Sequence, residues 1–163
     1  MKKVVFALSL LLVSLVGNAQ GVKHMNFNGI PIDRTQQNFE TKLLNNGFKK
    51  AVWKGYTFLE GSFLNEPVRI QTEIGPRTGK IAIVACLAQK ECNGQTILNE
   101  VERWKTKICS SFNTHFYESR NMYKADVQSP GRGVISVDYL QSDPTQELYV
   151  VRIAICDLEN VGK

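Results

Sequence analysis

The sequence predicts an α+β fold: an antiparallel β-sheet with two helices packed on one of its faces. Three observations carry this. Two segments place apolar residues at helical spacing, the rest of the chain alternates in the manner of half-buried strands, and Gly- and Pro-bearing turns separate those strands. The order helix, strands, hairpin then recurs once along the chain, which suggests a duplicated helix-plus-hairpins unit of about 60–70 residues.

At the N-terminus, Lys2 and Lys3 precede a 13-residue apolar run, Val4 to Val16, whose only polar members are Ser9 and Ser14. Gly17-Asn18-Ala19 follows with small residues where a signal peptidase reads. The expectation is a cleaved signal peptide over residues 1–19, cut after Ala19, and a single α+β domain over 20–163 in the periplasm or outside the cell. The run is too short for a membrane anchor. The first cysteine is Cys86, far from the cleavage site, which argues against a lipid anchor.

Residues 20–33 read as a lead-in with strand character at His24-Met25-Asn26-Phe27, ending in the turn-like Asn28-Gly29-Ile30-Pro31-Ile32-Asp33. A helix follows, capped by Thr35, striped by Phe39, Leu43 and Leu44, and ended by Asn46-Gly47, with Phe48 folding back on the stripe. From 49 to 88 the pattern is β: Val52 to Leu64 with breaks at Gly55 and Gly61, Val68 to Ile74, then Lys80 to Ala88. Gly75-Pro76-Arg77-Thr78-Gly79 supplies a hairpin loop. The second helix spans about 95–112, with Ile97, Leu98, Val101, Trp104, Ile108 and Phe112 on the apolar side. Glu100, Glu102, Arg103, Lys105 and Lys107 fall on the other. Strands are expected around 115–119, 122–128, 133–140 and 147–157, with turns at Gly131-Arg132-Gly133 and Ser142-Asp143-Pro144.

The net charge of +5 falls to +3 without Lys2 and Lys3. Arg103, Lys105, Lys107, Arg120, Lys124 and Arg132 are concentrated in the second half, a solvated helix and hairpin surface rather than a nucleic-acid site. Four cysteines, Cys86, Cys92, Cys109 and Cys156, in an oxidising compartment predict at least one disulfide. A Cys92–Cys109 bridge is strained because Cys109 lies about 20 Å along the second helix. Cys86–Cys92 with Cys109–Cys156, Cys86–Cys109 with Cys92–Cys156, and Cys86–Cys156 alone all remain open.

Chemistry-bearing patterns are sparse. Gly75 to Lys80 resembles a phosphate loop but is one residue short, has Ile81 where a metal-binding hydroxyl belongs, and runs into a strand rather than a helix. Cys109 and His115 form the only local nucleophile arrangement, without an orienting partner. Asp33, Asp126, Asp138, Asp143 and Asp157 show no calcium-loop rhythm, and no pair has zinc spacing. Trp53, Tyr56, Phe58 and Phe63 cluster in one hairpin region, as a sheet core or a sugar-stacking platform would. No catalytic residue, cofactor or metal ligand is expected.

His24 to Thr35, then Phe39, Leu43, Gly47-Phe48 and Leu59-Glu60-Gly61-Ser62-Phe63, resemble the F-x-G-I-P-I-D-x-T … F … L … G-F signature of a family of small, uncharacterised exported Bacteroidetes proteins. Arg34 departs from that pattern at the usual glycine before Thr35. The resemblance covers about the first 45 residues after the signal and implies export and fold, with no activity or site. The duplicated architecture is similar to that of β-lactamase inhibitor proteins and small envelope-assembly proteins, which fixes no function. The functional expectation is a non-enzymatic module that binds an envelope or secreted protein. The alternatives are a thiol enzyme built on Cys109 and His115, or a glycan or small-ligand binder at Trp53 and Tyr56.

Overall fold

The computed structural model describes residues 23–129 and 131–161, so the expected signal peptide lies outside the described residues. Met25 opens the described core, and β1 (Asn26–Phe27) folds back on β2 (Ile30–Pro31) as a two-stranded ribbon. Helix α1 (Gln36–Asn45) follows. It starts at Thr35 without the expected side-chain cap and closes with Phe48 N–H donating to Leu43 C=O, so Phe48 does fold back. Phe39 and Leu43 are buried, whereas Leu44 points to solvent.

Four strands then run as a meander: β3 (Lys49–Trp53), β4 (Tyr56–Phe63), β5 (Glu66–Ile74) and β6 (Ile81–Ala88). Helix α2 (Ile97–Phe112) leads a second meander, β7 (Tyr117–Ser119), β8 (Met122–Val127), β9 (Gly133–Asp143) and β10 (Leu148–Asp157). A single turn, α3 (Leu158–Val161), ends the described chain. The eight strands form one antiparallel sheet in the order β3-β4-β5-β6-β10-β9-β8-β7. The last strands of the two meanders therefore pair with each other at the centre, Ile153 opposite Cys86. This is a repeated helix-plus-four-strand unit whose halves meet about a two-fold normal to the sheet.

Both long helices cover one face. Phe39 and Leu43 of α1, and Ile97, Val101, Trp104 and Ile108 of α2, join Val84, Cys86, Ile135, Val137, Ile153 and Ile155 in one buried cluster. Phe63 stacks on Phe27 at 5.0 Å and lies near Trp104 at 6.4 Å, linking the N-terminal ribbon to both helices. Truncating one such ring to alanine costs about 3–5 kcal/mol.

Four further sequence expectations change. Gly61 does not break its strand. It lies within β4, and an added Cβ would stand 2.4 Å from the Phe48 ring, so the glycine admits that ring. Leu98 is exposed rather than part of the apolar stripe. Glu100, expected on the solvated side, is buried. It is held there by Lys90 at 2.8 Å and by Arg103, and their hydrogen bonds outweigh burial to keep its carboxyl below the ordinary range. Finally, all four cysteines are free thiols. Cys86 points to the helices while Cys156, on the paired strand, points to the opposite face, so the sheet separates them.

Candidate interaction face

Register and alternation define the face of the sheet that no helix covers. Three cross-strand rows lie on it. Gln71, Ala85, Ala154, Ser136 and Lys124 form the middle row. Arg69, Leu87, Arg152 and Asp138 flank it on one side, and Glu73, Ile83, Cys156, Val134 and Asp126 on the other. The middle of the face is thus a low floor of alanine and serine. Its first flank is fixed by ion pairs, Arg69 to Glu60 at 2.9 Å and Arg152 Nε to Asp138 at 2.8 Å. The Asp138 hydrogen bond raises the Arg152 pKa further above its ordinary value. Burial, with Asp157 and Glu73 nearby, pushes the Cys156 thiol up, which lowers its thiolate fraction.

The β3–β4 hairpin bounds this face. Its tip is a two-residue turn, Lys54 and Gly55 at φ 50° and 84°, the conformation whose twist matches the right-handed twist of the flanking strands. The twist carries the tip away from β5. Pairing between β4 and β5 runs only from Phe63/Glu66 to Leu59/Ile70, although β4 continues to Tyr56 and β5 to Ile74. The tip is pinned across the open face instead. The Lys54 ammonium donates to Ser142 C=O and lies 3.2 Å from Glu91, and the Arg69 guanidinium packs 4.6 Å from the Trp53 ring centre. Ser142 donates to Glu91 at 2.7 Å, and this bond with Lys54 holds the Glu91 carboxyl below its usual range. Beneath the tip, Phe58 and Val150 are buried apart from the main core.

Where β4 leaves β5 a slot opens, about 450 Å³ in volume, between Thr57 and Phe58 on one strand and Gln71, Thr72 and Glu73 on the other. Gln36 and Glu40 of α1 border it on the helix side, with Lys50 of β3. Among the described residues, neither Lys50 nor Glu73 joins an ion pair.

The residues singled out from sequence fare differently. Cys109 and His115 do line one shallow recess of about 340 Å³ with Glu102, Lys105 and Phe116. No hydrogen bond joins the two among the described residues, and His115 is exposed. Trp53 is half-buried against Phe58, Lys54 and Arg69, so its ring is already partnered, while Tyr56 is exposed. Phe58 and Phe63 are core residues. The basic residues are largely paired: Arg103 and Lys107 with Glu66, Lys105 with Glu102, and Arg132 with Glu159 at 3.8 Å. The Gly75–Lys80 segment is a hairpin loop, with Gly75 N–H donating to Lys80 C=O at 2.7 Å. Among the described residues no group of three or more His, Cys, Asp or Glu converges to hold a metal ion, and no helix is long and apolar enough to cross a membrane.

Sequence reasoning missed the slot and the role of Asp157. Gly55 signals the turn that opens the slot, but only pairing to β5 shows where the strands part. Asp157 looks like one of several scattered acids, yet its side chain is fully buried and accepts from Met25 N–H at 2.6 Å and Asn160 N–H at 3.1 Å. Comparison with protein-family models, with curated proteins and with solved structures finds no match for this chain.

Proposed function

We propose that this chain is a non-enzymatic, exported module that binds an envelope or secreted protein through the helix-free face of its sheet. The observation that supports the reading is the construction of that face. A floor of Ala85, Ala154 and Ser136 is flanked by a row that ion pairs hold rigid, and both helices are committed to the opposite side. A rigid polar flank orients a partner, and a low floor lets a protruding element of that partner reach the backbone. The export expected from residues 1–19 would place such a surface among extracytoplasmic proteins.

Site-specific photocrosslinking in the native host tests this. With p-benzoylphenylalanine placed at Ala154, one reproducible protein adduct is expected. The same group at Glu102, exposed on the helix side, is expected to give none. Equal labelling from both positions, or none from Ala154, overturns the assignment of the face.

A further inference from the structure

The edges of a sheet are where its backbone is available, and this protein treats its edges unequally. The outer edge at β3 begins with Lys49 and Lys50, and the other outer edge, β7, is three residues long. Charge and shortness are the usual protections against strand addition. Inside the sheet the opposite holds. Beyond Ile70, residues 71–74 of β5 pair with β6 only, and their other edge faces the slot. Four residues of strand span about 13 Å, enough for a short extended segment to lie alongside.

Exposed apolar side chains flank the same place. Tyr56 and Ile74, 67% and 50% exposed, adjoin the slot-lining Thr57 and Glu73 in sequence, and Val52, 73% exposed, pairs with Thr57 from β3. Of the charged groups that line the slot, Glu73 stands on the helix-free side, with Lys50 and Glu40 on the helix side, and among the described residues none of the three joins an ion pair.

Resting on the reading of the protein as a partner-binding module, we propose that the slot between β4 and β5 takes an extended segment of the partner polypeptide. The segment adds as a strand to the free edge of β5 over residues 71–74, with apolar side chains against Tyr56 and Ile74 and a basic one opposite Glu73. Main-chain hydrogen bonds to β5 supply affinity, and alternate side chains supply specificity. The β3–β4 hairpin, pinned by Lys54 and Arg69, holds the slot open in advance, so little ordering is left for binding.

The test uses the full chain in its native host, with p-benzoylphenylalanine at Thr57 in one strain and at Ala154 in another. The peptide joined to Thr57 is sequenced, synthesised, and titrated against the purified protein. Methylating its backbone amides one at a time is expected to cost about tenfold in affinity at every second position and little between, the alternation that strand pairing imposes. Glu73→Lys is expected to weaken the unmodified peptide by a similar factor. A Thr57 adduct whose peptide shows no such alternation overturns strand addition. An adduct from Ala154 alone overturns the slot and leaves the sheet-face reading standing, and no adduct from either position overturns both.

Discussion

Replacing Asp157 by alanine should unfasten the described N-terminal segment from the end of the sheet. The carboxylate is fully buried and accepts from the backbone of Met25 at 2.6 Å and of Asn160 at 3.1 Å, with the His24 ring at 3.3 Å. Asn160 in turn donates its side-chain amide to Ile81 C=O at 2.9 Å and to Ile32 C=O, so α3 acts as a buckle over the N-terminal ribbon, β6 and β10. Alanine leaves two buried backbone donors without an acceptor. Each such loss costs about 1–3 kcal/mol, so the pair sums to about 3–4 kcal/mol once some water enters. For a domain of this size 1 kcal/mol corresponds to about 3–4 °C, which gives a fall in Tm of about 10 °C. Circular-dichroism melts of Asp157→Ala should be compared with Asp143→Ala, whose side chain caps an exposed turn at Thr145. The control should move by less than about 3 °C. A Tm for Asp157→Ala within that same range would refute the account of the buckle.

Three further outcomes are expected. Hydrogen bonds from Arg103 and then Lys107 hold the Glu66 carboxyl down from 4.5 to about 2. A depressed folded pKa stabilises the fold above the ordinary carboxylate value, and that share is lost as pH falls from 4.5 towards 2, so Glu66→Gln should flatten the acid limb of urea midpoints by about 1 kcal/mol. Gly61→Ala drives a Cβ to 2.4 Å from the Phe48 ring and should cost about 1–3 kcal/mol. Phe48→Leu in the same chain should recover part of that loss in a double-mutant cycle, and strict additivity would argue against the contact. Alkylation followed by mass spectrometry should add four labels to the denatured, unreduced protein. In the native state Cys86 should be spared, because it is buried and its thiol pKa is pushed far up, and fewer than four labels after denaturation would restore a disulfide.

Local signals were legible where a residue's own backbone or its neighbours three and four places away decide the outcome. The α2 stripe of Ile97, Val101, Trp104 and Ile108, the Asn46-Gly47 stop, and the Gly75–Gly79 loop all came through in this way. The failures have a common cause. Leu98 and Glu100 sit near the border of the stripe, and which of them is buried depends on whether Lys90 and Arg103 arrive to neutralise the carboxylate. Gly61 reads as a breaker until Phe48 is seen lying on it. The two unit-ending cysteines look equivalent, but the alternation of their strands sends them to opposite faces.

By itself, the sequence determined the class of the fold and suggested its repeat, because helical and strand periodicity are properties of short stretches and their order is simply written along the chain. It also determined that chemistry-bearing motifs are scarce. The tertiary structure alone decided the central pairing of β6 with β10, the burial of Asp157, and the parting of β4 from β5 that opens the slot. Each of these joins residues distant in sequence or depends on the accumulated twist of a hairpin, and neither leaves a local pattern.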